Sequence, residues 1–203
     1  MIKYMCLLFE TIKLENGVFH NLRLHAERIN DARKKLFNLP DKIELSIELK
    51  VPESFSKGLY KCRIDYDKGI QKISFEKYKA RKIGALQLVH CDNISYNFKF
   101  SDRSCFDKIK RQSKGNEILI IRNGLITDTS FSNIVFFDGQ KWITPSSPLL
   151  EGTRRKELLS KGKILEQKIG PSDIKSFTKA RLINAMLDLK SGTEININQI
   201  LFA

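Results

Sequence analysis

The sequence predicts an α+β fold, and three observations carry that expectation. Short runs of alternating apolar and polar residues recur along the chain, separated by glycine- and asparagine-containing turns. Apolar residues recur at helical spacing in only a few windows. The second half reads as mostly strands, so helices and strands do not alternate in the way of a parallel α/β sheet.

Taken in order, Tyr4 to Lys13 reads as a strand, Glu15-Asn16-Gly17 as a tight turn, and Val18 to Leu22 as its return. From Leu24 the period becomes helical, with Leu24, Ile29, Ala32, Leu36 and Phe37 on one face, and Asn38-Leu39-Pro40 ends the run. A second helix is expected over Asp41 to Lys50. Gly58 to Asp65 and Ile70 to Tyr78 then alternate about Asp67-Lys68-Gly69, a hairpin pattern. After the basic link Lys79 to Gly84, Leu86 to His90 opens a new strand region and Ser101 to Gln112 is a helix candidate. Glu117 to Arg122 and Leu125 to Thr127 flank Asn123-Gly124; Ser132 to Asp138 and Lys141 to Thr144 flank Gly139. Gly152 to Ser160 reads as helical, Ile164 to Ile169 as extended, Pro171 to Ser176 as a helical turn, and Ala180 to Asp188 as extended. The domain boundary is expected at the basic link, giving a smaller N-terminal domain (1–82) and a larger one (83–203).

With 203 residues, 41% hydrophobic and 29% charged, the chain has ordinary globular composition. No apolar run approaches the roughly 20 residues of a membrane span, and the N-terminal stretch lacks the length and cleavage site of a secretory signal. Cys6, Cys62, Cys91 and Cys105 are scattered and far from histidine at ligand spacing, so no metal site is expected and reduced thiols in a cytoplasm are. The net charge of +13 admits phosphate-bearing partners. Yet the basic residues are dispersed, and the densest runs (Lys77 to Lys82, Lys108 to Lys114) are short and interrupted. The pattern speaks against nucleic acid and suits a small anionic substrate or cofactor equally well.

Four segments carry candidate chemistry, each with a plainer reading beside it. Lys99 lies between aromatics in Tyr96-Asn97-Phe98-Lys99-Phe100, four residues before Arg103. Desolvation and a neighbouring cation favour the neutral amine that imine chemistry needs; a surface lysine in a lysine-rich chain reads the same way. Gly124 to Ile134 presents Asp128, Ser132 and Asn133 after a tight turn, where such residues also serve local backbone. Leu150-Glu151-Gly152-Thr153-Arg154-Arg155 leads into a helix whose first amides attract phosphate, or is an ordinary helix cap. His25 and Arg28 lie on the first helix: the arginine suits a bidentate phosphate contact or solvent, the histidine packing.

The order of these segments resembles the class IV (fold type IV) pyridoxal-phosphate enzymes. Phe9-Glu10-Thr11-Ile12 resembles that family's opening strand, and Leu24-His25-x-x-Arg28-Ile29 its first helix. Gly124-x-x-x-Asp128-x-Ser130-x-x-Asn133-Ile134-Val135-Phe136 resembles its central segment. Trp142-Ile143-Thr144-Pro145 with Leu150-x-Gly152-Thr153-x-Arg155 resembles the segment that follows. The resemblance implies a two-domain enzyme, a small α/β domain followed by a β-rich pseudobarrel domain that carries the Schiff-base Lys99. It implies a homodimer with the site between the domains. For the cofactor, pyridoxal 5′-phosphate, it implies contacts from Arg28, Ser132, Asn133, Gly152, Thr153, Arg154 and Asn184, with Asp128 pairing with the ring nitrogen. Arg103 and Ala185 fall to the substrate.

Lys99…Arg103 and Asn184-Ala185-Met186-Leu187 resemble the 4-amino-4-deoxychorismate lyases, which release pyruvate and 4-aminobenzoate in folate synthesis. The alternative is an aminotransferase of branched-chain or D-amino acids. A basic nucleic-acid-binding module is the competing class. The chain departs from the family pattern twice: Asp128 stands where glutamate is usual, and the strand and glycine-aspartate that usually precede the opening motif are absent.

Overall fold

The computed structural model describes residues 7–111, 113 and 117–202. They divide into two units: residues up to Lys79 together with Phe98–Asp102, and Ala80–Asn97 together with the residues from Arg103 onward.

In the first unit, strand β1 (Leu8–Glu15) alternates, turning Leu8, Glu10, Ile12 and Leu14 to the core. Asn16 and Gly17 both take positive φ, which only a turn of this handedness requires, and β2 (Val18–Phe19) returns antiparallel. Of the expected strand Tyr4 to Lys13, Tyr4 to Cys6 lie outside the described residues. β3 (Leu59–Tyr66) pairs antiparallel with β1, and β4 (Ile70–Lys77) with β3, giving a sheet of order β2-β1-β3-β4. Helix α1 (Leu22–Phe37) lays Ile29 and Ala32 on Leu8, Ile12, Cys62, Ile64 and Tyr66. It ends at Asn38 in the left-handed region, whose amide reaches back to Arg33 and Lys34 carbonyls.

The expected second helix over Asp41 to Lys50 contracts to α2 (Leu45–Glu48). Side chains of α1 take the backbone that such a helix would use. Asn30 exchanges two hydrogen bonds with the Ile43 backbone (2.9 and 3.1 Å), and Arg33 bonds the Asp41 carbonyl and carboxylate, each at 2.7 Å.

Phe98–Asp102 explains why this segment joins the first unit rather than the second, where Lys99 was expected. The Phe9 amide donates to the Lys99 carbonyl (2.9 Å), the Ser101 amide to the Leu7 carbonyl (2.8 Å), and Leu8 bridges Phe100. The segment thus runs antiparallel beside the start of β1, and Phe98 and Phe100 pack on the same core.

The second unit holds two sheets. One has the order β13-β5-β6-β7: β5 (Leu86–His90), β6 (Glu117–Arg122), β7 (Leu125–Thr129) and the short β13 (Ile200–Leu201), parallel to β5. The other has the order β10-β9-β8-β11-β12: β8 (Asn133–Phe137), β9 (Trp142–Pro145), β10 (Leu165–Gln167), β11 (Lys179–Ile183) and β12 (Glu194–Asn196). Their inner faces share one core, with Leu88, Leu119, Ile121 and Ile126 from the first sheet and Ile134, Phe136, Ala180 and Leu182 from the second. Helices α3 (Ser104–Lys110) and α4 (Thr153–Ser160) belong to this unit. α3 is shorter than the expected Ser101 to Gln112, of which Gln112 lies outside the described residues.

The expected extended run Ala180 to Asp188 stops at Ile183. There the Asn184 side-chain oxygen accepts the amides of Met186 (2.8 Å) and Leu187 (3.0 Å), closing a turn. Among the described residues no helix is long and apolar enough to cross a membrane, no cluster of ligating side chains could hold a metal ion, and Cys62 and Cys91 are free thiols.

Candidate active site

Glu10 is the inward residue of β1 that breaks an otherwise apolar row, and it is fully buried. Helix α1 answers it from one face. His25 Nδ1 lies 2.6 Å from Oε2, and Arg28 donates through Nε to Oε1 (2.7 Å) and through Nη2 to Oε2 (2.6 Å). The spacing of three residues puts both side chains on the same helical stripe. Burial alone would push the Glu10 carboxyl up; the Arg28 charge and the hydrogen bonds from His25 and Arg28 outweigh it and hold the group well below the usual carboxylate range. Burial depresses the His25 imidazole, Glu10 pulls it back up, and the Arg28 and Lys99 charges push it down, so the ring is neutral with Nδ1–H donating. The Tyr66 hydroxyl, also fully buried, has no hydrogen-bond partner among the described residues, and burial raises its phenol above the ordinary value.

Lys99 is fixed by its own backbone beside β1, and its Nζ lies 4.5 Å from the centre of the Phe9 ring. Arg63 lies over the same ring at 4.1 Å. The first unit therefore joins an amine, a guanidinium, a neutral imidazole and a buried carboxylate. An open groove of about 610 Å³ along α1, floored by Leu22, Ala26, Leu39, Pro40 and Leu45, is lined by none of these four.

In the second unit Asp128 ends up buried at the end of β7. Oδ1 accepts from Asn133 Nδ2 (2.8 Å), and Oδ2 accepts the amides of Leu149 (2.9 Å) and Leu150 (3.0 Å). Burial raises this carboxyl to about 6; the Leu150 amide, Asn133, the Leu149 amide and the Arg155 charge pull the other way. Asn133 also donates to the Leu150 carbonyl (3.0 Å). A Cβ on Gly152 would stand 1.9 Å from Asn133 Oδ1, so only glycine fits this position without moving the asparagine. Gly152 leads into α4, whose first amides point out of its N-terminus.

The donor set fits an anionic pyridine cofactor. A carboxylate offers about four acceptor positions, of which Asp128 spends three. The helix start at Gly152-Thr153 is suited to phosphate. Asp128, with its shorter side chain, meets three donors inside the unit.

The other expected residues have partners within the second unit. The Arg103 guanidinium donates to the Ser130 carbonyl, with the Tyr96 hydroxyl 3.5 Å away, and lies 4.8 Å from the Phe106 ring centre. Asn184 donates to the Phe131 carbonyl (3.4 Å) while closing the turn that contains Ala185. Arg103 and Asn184 thus both brace the loop between β7 and β8. Ser132 turns inward, its hydroxyl 2.8 Å from Thr129 Oγ1. The Arg154 side chain, expected near phosphate, pairs with Glu157 (2.6 Å) and lies 3.9 Å from Asp188; the amide at that position remains in the first turn of α4.

Sequence reading assigned no role to Glu10, although a glutamate at an inward position of an alternating strand was the available signal. The loop amides that hold Asp128 left no such signal.

Comparison with known proteins follows the same outline. The family described as amino-transferase class IV matches residues 99–195. An uncharacterized protein of Haemophilus influenzae is 39% identical over 188 residues, 88% of this chain and 97% of its own length. A crystal structure named as a candidate 4-amino-4-deoxychorismate lyase, from Haemophilus somnus, is 36% identical. It covers 92% of this chain and 99% of its own, with a TM-score of 0.85. A fold IV transaminase from Curtobacterium pusillum, 14% identical, shares the fold with a TM-score of 0.70 over 96% of this chain and 79% of its own.

Proposed function

Because the chain belongs to the class IV aminotransferase family and is an enzyme of fold type IV, we propose that it uses pyridoxal 5′-phosphate on Lys99 as a 4-amino-4-deoxychorismate lyase. The observation that carries the choice of reaction is the 36% identity, over nearly the whole of both chains, to the Haemophilus somnus protein. Arg103 and the Asn184–Leu187 turn, the two lyase-like cues in the sequence, support it.

When bound, the cofactor supplies an electron sink for the bond-breaking at substrate carbon. The residues of this chain do the rest. The α4 amides at Gly152 and Thr153 would bind the phosphate, and the resemblance to the family gives Arg28, held at its Nε and Nη2 by Glu10, the same role. Asp128 would keep a proton on the ring nitrogen; with its carboxyl near about 6 it is largely ionised at neutral pH, the state that this pairing needs. The Lys99 amine would take the proton from the substrate carbon that bears the amino group. The neighbouring carbon–oxygen bond then breaks, pyruvate leaves as its enol and picks up a proton, and the ring becomes aromatic. That gain supplies much of the driving force, so orientation of the carbon–hydrogen bond is the main task left to the protein.

The test is to load purified protein with pyridoxal 5′-phosphate, offer 4-amino-4-deoxychorismate without any 2-oxo acid, and follow pyruvate through lactate dehydrogenase. Pyruvate and 4-aminobenzoate formed in equal amounts support the lyase. Transfer of amino groups from branched-chain or D-amino acids, with no pyruvate release, would replace it by the aminotransferase reading.

A further inference from the structure

We propose that Arg155 is a positioning residue for Asp128, acting through the loop that joins β9 to α4. Its guanidinium meets both ends of that loop: Nη2 donates to the Pro145 backbone carbonyl (3.0 Å), where β9 ends, and Nη1 to the exposed side-chain carboxylate of Glu151 (2.9 Å), one residue before Gly152. Nη2 also pairs with Glu166 on β10. Between the two anchored ends, the amides of Leu149 and Leu150 converge on Asp128 Oδ2. Arg155 is almost fully buried, and its Nε has no partner among the described residues.

That arrangement is a costly way to gain stability. A buried guanidinium with an unmet donor seldom outperforms an apolar side chain of similar volume. What the two Nη groups provide is a fixed span. Weaker ties also hold the loop: the Ser146 amide to the Gln167 carbonyl (2.9 Å), the Ser147 hydroxyl to the Ile126 carbonyl (3.2 Å), and Asn133 to the Leu150 carbonyl. Losing Arg155 therefore loosens the loop without releasing it.

The consequence falls on the charge of Asp128. Around that carboxyl the neutral donors are Asn133 and the two loop amides, and the charged group is Arg155 itself, with Glu151 and Glu166 set against it. Arg155 acts by its field and by holding the amides in place, and a lysine at this position separates the two. It keeps the charge but cannot span Pro145 and Glu151 with one ammonium.

The experiment follows the Asp128 carboxyl by carbon-13 NMR in protein without added cofactor, with Asp128→Asn identifying the resonance. Wild type should titrate near about 6. In Arg155→Lys the midpoint should climb by roughly one unit as the amides withdraw, and in Arg155→Met by more, since the field is lost too. In both variants the Leu149 and Leu150 amides should exchange with solvent at least about tenfold faster. An Arg155→Lys protein with the wild-type midpoint and wild-type amide exchange overturns the positioning role. If Arg155→Met does not fold, Arg155→Lys decides. The value of this for catalysis rests on the reading of Asp128 as the partner of the cofactor ring. A wild type that takes up no pyridoxal 5′-phosphate would remove that reading and leave the titration result standing.

Discussion

Replacing Glu10 by glutamine removes one charge from a fully buried position and keeps the shape. The carboxylate takes two short bonds from Arg28 and one from His25, all between 2.6 and 2.7 Å. Removing one partner of a buried ion pair costs about 3–5 kcal/mol. Arg28 retains 17% exposure, and a partly wet guanidinium recovers some hydration, which places the expected loss near the low end, about 3 kcal/mol. Glutamine also presents an amide donor to two groups that donate. His25 can relieve its half by exchanging tautomers; Arg28 cannot.

The pH dependence has a definite sign. The folded carboxyl is depressed below its unfolded value, so its contribution is complete above roughly pH 4.3 and is lost as the pH falls towards the folded value. Urea unfolding of wild type and Glu10→Gln should therefore differ by about 3 kcal/mol from pH 5 to 8. Below that the gap should shrink by about 1.4 kcal/mol per pH unit. A gap under about 1 kcal/mol at pH 7, or one that is the same at pH 6 and pH 3, would refute the assignment of Glu10 as the ionised hub of the first unit.

Two further substitutions follow from the second unit. Gly152→Ala should drive Asn133 off Asp128 and the Leu150 carbonyl at a cost of about 1–3 kcal/mol, read by thermal unfolding together with weaker uptake of pyridoxal 5′-phosphate. Asn184→Ala should leave the Met186 and Leu187 amides without their side-chain acceptor, costing about 1–2 kcal/mol. Because the same side chain braces Phe131, it should raise KM for substrate more than it lowers kcat, a split that steady-state kinetics measures.

Much of the fold was legible where local chemistry decides it. Asn16-Gly17 and Asn123-Gly124 both adopt the positive φ that their sequence advertises, and the hairpins β1–β2 and β6–β7 follow. Leu86–His90 and Pro171–Ser176 fall where alternation and proline placed them. What was not legible depends on partners distant in sequence. Asn30 and Arg33 take the backbone of 41–43 and shorten the second helix, and Asn184 ends β11 by capturing amides that follow it. The pairing of β13 with β5 joins residues more than a hundred positions apart.

The site divides in the same way. Asp128, Asn133 and Gly152 were picked out by motif, and the structure joins them. The segment carrying Lys99, by contrast, belongs with β1 because backbone bonds to Leu7 and Phe9 draw it there, and no local pattern announces those. Arg103 and Arg154 take their ligand roles from the resemblance to the family. Each has an acceptor within its own unit, the Ser130 carbonyl and Glu157, which no local pattern announces.

The central claim is that Lys99 carries the cofactor, and one measurement addresses it directly. Wild-type protein incubated with pyridoxal 5′-phosphate is reduced with borohydride, digested, and its peptides weighed. The account predicts a single major pyridoxyl-phosphate adduct, on the peptide containing Lys99, and its loss in a folded Lys99→Arg variant. An adduct on another lysine of this lysine-rich chain, or one that persists undiminished in Lys99→Arg, contradicts it.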